Sequence, residues 1–200
     1  VFPPAELDRL RIQYLALIRQ EKNRPTSMAL RVLPKLIYGE GHAYAQPLTG
    51  SGTEESIRAI TRADLQQYHK TWFRPNNATL LVVGDTNTAE ITTKLKKLFR
   101  SWEPADVPVK NIALVKRSSK NAVYIVDKPS AEQSIIVAGE VAPPKSNPAE
   151  IAIEIMNDIL GGQFFSRINM NLREDKGWSY GARSMIMDAE GQRPFLVYAP

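Results

Sequence analysis

The chain contains no cysteine and only two histidines among its 200 residues. The first absence rules out disulfides and thiolate metal sites, and leaves the redox compartment open. The second leaves little to build an imidazole metal site. His42 and His69 lie far apart, and neither stands in H-E-x-x-H or H-x-x-E-H, where one helix face presents two imidazoles to a zinc ion. His69 reads as a helix-surface residue beside Tyr68 and Lys70, and His42 as a loop residue near Tyr44. No run approaches the ~18 consecutive apolar residues of a membrane span. Phosphate loop, G-x-S-x-G elbow and dinucleotide fingerprint are all missing, and "GEG" and "GSG" lack the strand-to-helix context of a phosphate site. Basic residues outnumber acidic ones 26 to 21, a net +5, but the two signs alternate along most of the chain. That pattern reads as a solvated surface, and no RNP-type aromatic run, helix-turn-helix signal or zinc knuckle supports nucleic-acid binding. The expectation is therefore no nucleic acid, no membrane span, no metal and no catalytic engine within this stretch. The chain opens on Val1, with neither initiator methionine nor signal peptide, as a piece excised from something longer would.

What is present is an alternation of helical and strand patterns. Residues 4–22 place Leu7, Leu10, Tyr14, Leu17 and Ile18 at helical spacing. A second helix is expected over 26–38, kinked at Pro34 and ended by Gly39. Glycines and small residues make 39–52 a loop. Thr61 and Asp64 form a capping box for a helix over 62–73, and Asn87 and Glu90 open one running to about Trp102. Between them, "ATLLVVG" (78–84) has the continuous apolar run of a buried strand. The proline-bearing, polar stretch 103–112 reads as a linker between two units, 1–102 and 113–200. Beyond it, "NAVYIVD" and "QSIIVAGEV" read as strands. A helix follows with Asn147 at its cap, Pro148 at its first position and Gly161-Gly162 at its end. A helix over 165–174 and strands near 179–188 and 193–199 complete the chain. Without a clean βαβ repeat, the fold class is α+β, with helices on one face of mixed sheets and two partial modules.

"ILGGQFFSRI" (159–168) reads on its own as a double-glycine helix end with an aromatic plug. Arg173 reads equally as a salt-bridge partner of Glu174 or Asp175. Geometry offers another reading for "NLREDKGWSYGA" (171–182). Arg173 stands in the last turn of a helix and Tyr180 after a tight turn, so a guanidinium and a phenol could aim at one carbonyl oxygen and stabilise negative charge there.

Several ordered motifs together carry a family resemblance. "LGGQFFSRINMNLREDKGWSYGA" resembles the second-half signature of the pitrilysin/insulinase zinc peptidases, the inverted zincins. That group includes mitochondrial processing peptidase and the core proteins of the respiratory bc1 complex. "YGEGHAYAQPLTGSGTEESIRAITRADLQQYHKTWFRPNNATLLVVGD" resembles the segment closing the preceding domain, and "VYIVDKPSAEQSIIVAG" the entry strands of the next. The likeness spans nearly the whole chain.

The resemblance implies two homologous halves around a substrate chamber. One holds zinc through H-x-x-E-H and a distal glutamate; the other supplies an arginine and a tyrosine that bind substrate near the scissile bond. These fall on Arg173 and Tyr180, with Gly161, Gly162 and Ser166 in the same substrate-binding segment. The distal-glutamate position falls on Leu17, expected on the buried face, with Glu6 and Glu21 out of register. This points to the non-metal half: zinc in the complete enzyme, none in this piece. It further implies a peptide or unfolded-protein substrate, a homologous zinc-bearing half in the same chain or a partner subunit, and a periplasmic location. The fragment alone is expected to be inactive. The alternative is a non-catalytic assembly subunit like the bc1 core proteins.

Overall fold

The computed structural model describes residues 2–116 and 120–200; Val1, on which the sequence opens, lies outside them. Packing divides the chain into two compact units, Val1–Ile12 with Glu55–Lys110, and Gln13–Glu54 with Asn111–Pro200. These compact units do not follow chain order, since Gln13–Glu54 group with the later part of the chain. Helix α1 (Pro4–Glu21) gives its first half to one unit and its second half to the other.

The first unit is helical, with α3 (Glu54–Ala59), α4 (Arg62–Trp72) and α5 (Thr88–Leu98). Both long helices start where their local chemistry sets them. The Thr61 N–H donates to Asp64 Oδ2 at 2.8 Å and the Asp64 N–H to Thr61 Oγ1 at 3.2 Å. This reciprocal capping satisfies two orphan donors at the start of α4. Asn87 Oδ1 caps α5 by accepting from the Glu90 N–H at 2.9 Å. Arg11 donates to the carbonyls of Ile57 and Ile60 at 3.3 and 2.7 Å, joining the start of α1 to the end of α3. The run 78–84 is neither laddered nor buried: Val83 is 98% exposed. An apolar run becomes a buried strand only when neighbours supply both ladder and cover, and none does so among the described residues.

The second unit carries the sheet: β1 (Ile136–Ala142), β2 (Arg183–Ile186) and β3 (Arg193–Ala199), in the order β1-β3-β2. The class is α+β as the sequence indicated, and these three strands pair antiparallel throughout, with Gly139 opposite Leu196 and Arg183 opposite Tyr198. Residues 121–127, expected as a strand, join no ladder. Helix α2 (Pro25–Tyr38) packs on β1, and Gly139 makes that approach possible. A Cβ there would stand 3.0 Å from Leu33 Cδ2 and 3.1 Å from Leu196 Cδ2. Both leucines belong to the buried core with Ile18, Tyr38, Ala45 and Ala182. Leu17 is exposed, and Ile18 beside it holds the buried face of α1 instead.

Two charge clusters brace this unit. Glu21 accepts from Arg31 Nη1 and from Ser51 Oγ, each at 2.6 Å, and Arg31 Nη2 donates to the Gly52 carbonyl at 2.8 Å. Burial pushes the Glu21 carboxyl up, but hydrogen bonds from Ser51, Arg31 and Thr49 and the charge of Arg31 outweigh it and hold the group below its ordinary value. Arg193, 2% exposed, forks onto Glu150 at 2.8 and 2.6 Å and donates through Nε to the Pro143 carbonyl at 2.9 Å. The glycine-rich loop after α2 is pinned by its rings. Tyr38 donates to the Gln192 carbonyl at 2.9 Å, and the Gly191 N–H donates to Tyr44 Oη at 3.2 Å.

Candidate functional site

The corner holding the expected site residues begins with α6 (Glu150–Asn157), which starts later than the cap at Asn147 implied. Asn147 Oδ1 accepts from the Ala149 N–H at 2.9 Å, and its amide donates to Glu150 Oε2 at 2.9 Å, so it folds a turn ahead of the helix. The helix runs on through a wide π-type turn, Asp158–Gly162. Gly161 is buried against β2, where a Cβ would collide with the backbone nitrogen and hydroxyl of Ser184. A Cβ on Gly162 would stand 2.6 Å from Asp158 Oδ1 and 3.0 Å from Asn157 Nδ2. Close packing against the Ser184 backbone therefore accounts for Gly161, while the exposed Gly162 meets the movable side-chain ends of Asp158 and Asn157. Ser166 is 2% exposed, and its hydroxyl has no hydrogen-bond partner among the described residues.

Helix α7 (Arg167–Asn169) follows and widens into a π-type stretch, Met170–Asp175. The Lys176 N–H reaches the Asn171 carbonyl at 3.0 Å, and the Gly177 N–H the Arg173 carbonyl at 3.2 Å. Gly177 adopts φ 63°, a left-handed conformation that a side chain would strain, and so turns the chain out of the helix. Wide turn and glycine together bring Tyr180 back over the helix end.

Arg173 and Tyr180 are thus brought together, face to tip. The Arg173 guanidinium carbon lies 5.0 Å from the centre of the Tyr180 ring and 4.9 Å from that of Phe164. Its Nε pairs with Glu174 Oε1 at 3.2 Å, so the salt bridge expected from the sequence is also present. That ion pair lies on the Nε side of the guanidinium. Neither terminal nitrogen has a protein partner among the described residues, nor does the Tyr180 hydroxyl, on a residue 88% exposed. Both groups line an open cleft of about 400 Å³ with Gln133, Trp178, Ser179 and Pro200. A positive group flanked by aromatic faces, with free donors beside a phenol, suits an oxygen carrying or developing negative charge.

Two residues of this corner escaped the sequence reading. Asn169, 4% exposed, donates through Nδ2 to the Phe164 carbonyl at 2.7 Å and accepts at Oδ1 from the Ala182 N–H at 3.0 Å. Phe164, read as part of an aromatic plug, is the second ring beside Arg173. The signal for Asn169 was a polar side chain at helical spacing, four positions before Arg173, on the face turned inward.

The histidines are engaged locally. His42 Nδ1 accepts from the Tyr44 N–H at 3.0 Å and Nε2 lies 2.9 Å from the Ala113 carbonyl, while His69 stacks on Phe73 at 4.8 Å. Glu6 pairs with Arg9, and Glu21 with Arg31. Among the described residues no three His, Cys, Asp or Glu groups converge as metal ligands, so these residues do not fit the zinc that the resemblance assigns to a complete enzyme. Nor is any described helix long and apolar enough to cross a membrane.

Comparison with known proteins bears on the family and the fold. The chain is 23% identical over 181 residues to the uncharacterized zinc protease YmxG of Bacillus subtilis, covering 90% of this chain and 42% of that protein. It therefore spans less than half the length of that relative. The crystal structure of a peptidase M16 inactive domain from Pseudomonas fluorescens superposes with a TM-score of 0.86 at 24% identity, covering 100% of this chain and 47% of that one. The first half of the periplasmic protease PqqL from Escherichia coli shares the fold at a TM-score of 0.65 and 16% identity, covering 100% of this chain and 43% of that one. The family model described as the peptidase M16 inactive domain matches residues 59–200, the greater part of the chain and all of the Arg173 corner, and the chain belongs to that family.

Proposed function

We propose that this chain is part of the substrate-gripping, non-metal half of a zinc endopeptidase. In this reading 1–102 close one peptidase module and 113–200 open the next. The carrying observation is the Arg173 guanidinium, flanked by two rings with its terminal nitrogens unpaired, beside the free Tyr180 hydroxyl in an open cleft. Nucleophile and metal come from outside these residues. An extended peptide laid along the cleft would offer a carbonyl oxygen to both donors. As that carbon is attacked, charge moves onto the oxygen, and donors already in place stabilise it without reorganising. Phe164 and Tyr180 limit the swing of the guanidinium, and Glu174 holds its Nε edge, so the free edge stays turned to substrate. Gly161, Gly162 and Ser166 belong to this site by shaping the helix end that carries it. A homologous zinc-bearing half would complete the chamber, and the likeness to the PqqL half supports a periplasmic setting.

The test is peptide hydrolysis by the complete enzyme carrying Arg173→Ala. Losing one oxyanion donor costs on the order of 10²–10³ in rate, and the melting temperature should barely move. Unchanged turnover in the folded variant would reject the clamp, whereas a complete, folded wild-type protein that hydrolyses no peptide would favour an assembly subunit.

A further inference from the structure

Arg173 owes its pose to two rings, and those rings sit on segments on either side of its helix. Phe164 precedes α7, and Tyr180 follows the glycine turn. Nothing in either ring fixes the spacing between the two segments. Asn169 is the side chain that spans them. It lies in the same helical stretch, is buried, and spends both halves of its amide on backbone: Nδ2 on the Phe164 carbonyl at 2.7 Å, Oδ1 on the Ala182 N–H at 3.0 Å. One bond is made to the residue carrying the first ring, the other two residues beyond the second.

We propose that Asn169 is a positioning residue for Arg173, acting as a cross-brace that sets the separation of the Phe164 and Tyr180 rings, with Phe164 as the ring it places directly. This rests on the clamp reading of Arg173, since the brace affects turnover only if the guanidinium does. No other amino acid reproduces the arrangement in the same space. Aspartate would keep the acceptor for Ala182 but set a carboxylate oxygen against the Phe164 carbonyl. Leucine would match the size and leave both backbone groups unpaired. A misplacement of about 1 Å in a group facing the reacting centre can cost on the order of 10² in rate, so a brace that touches no substrate can still govern turnover.

The experiment uses the complete enzyme and two readouts. Steady-state peptide hydrolysis separates kcat from KM, and isotope-labelled arginine reports the ring-current shift of the Arg173 side-chain protons. Asn169→Ala should lower kcat roughly 10- to 100-fold with KM changed less than about threefold, because a group acting on developing charge shows in kcat. It should also abolish the upfield ring-current shift. Phe164→Leu should remove part of that shift and lower kcat, whereas Phe164→Tyr, which keeps the ring, should restore both. Asn169→Ala that is folded and keeps the Arg173 shift would overturn the proposal, whatever its activity. If Asn169→Ala does not fold, Phe164→Leu decides: an unchanged shift and unchanged kcat would overturn it equally. Should Arg173→Ala itself prove harmless to turnover, the clamp falls; loss of the Arg173 shift in Asn169→Ala would then still sustain the brace.

Discussion

Arg193 and Arg173 lie in the same compact unit and hold their guanidinium groups in opposite ways. Arg193 is buried, forked onto both oxygens of Glu150, with its Nε on a carbonyl. Arg173 is part-exposed, held by ring faces, and ion-paired to Glu174 at Nε. A fold that needs an arginine for its own cohesion satisfies the donors, because an unmatched buried donor costs stability. Aromatic faces do something else: they restrain the plane of the group while leaving its hydrogen-bonding edge unspent. The comparison separates an arginine whose N–H groups are spent within the fold from one whose terminal N–H groups have no protein partner among the described residues.

The sharpest way to break the comparison is to exchange the consequences. Arg173→Ala should lower turnover 10²–10³-fold in the complete enzyme with little change in melting temperature. Arg193→Ala should do the reverse. It removes the fork onto Glu150 and the bond to the Pro143 carbonyl, so the melting temperature should fall clearly while the folded fraction keeps normal kcat. Thermal unfolding and hydrolysis measured on both variants check the pair. A stable but inactive Arg193→Ala would erase the distinction.

A smaller effect is expected at the helix end that presents the site. Gly161→Ala drives a methyl into Ser184 of β2, and overpacking of this kind costs about 1–3 kcal/mol. Denaturant unfolding would show it, and a variant as stable as the wild type would mean that the double glycine serves more than packing. The smallest expected effect is with pH. The Glu21 carboxyl is held below its ordinary value of 4.5 in the folded chain, so its contribution is complete above that value and is lost as pH falls through the depressed one. The melting temperature of Glu21→Gln should therefore converge on that of the wild type in acid. Parallel curves from neutral to acid pH would show that the Arg31 pairing contributes nothing.

Much of this was legible in the sequence where the cause is local. The starts of α4 and α5 follow from Thr61, Asp64, Asn87 and Glu90, residues that bond within one turn of themselves. The strand patterns at 78–84 and 121–127 misled, because a strand is a relation between segments and apolar character cannot supply the neighbour. The start of α6 was misplaced because Asn147 caps a preceding turn with the same chemistry it would use on a helix. Arg173 and Tyr180 were legible as a pair because their motif is contiguous. Phe164 and Asn169 were not, since their roles depend on the width of a π-type turn and on a buried amide reaching backwards and forwards along the chain.

The central claim is that Arg173 and Tyr180 form one clamp on a substrate oxygen, and Tyr180→Phe tests it most directly. This change deletes a hydroxyl that has no protein partner among the described residues and keeps the ring beside the guanidinium. The measurement is kcat for peptide hydrolysis by the complete enzyme, alongside its melting temperature. The expected result is a kcat lowered by at least about tenfold at an unchanged melting temperature. A folded Tyr180→Phe enzyme that turns over peptide at the wild-type rate would contradict it.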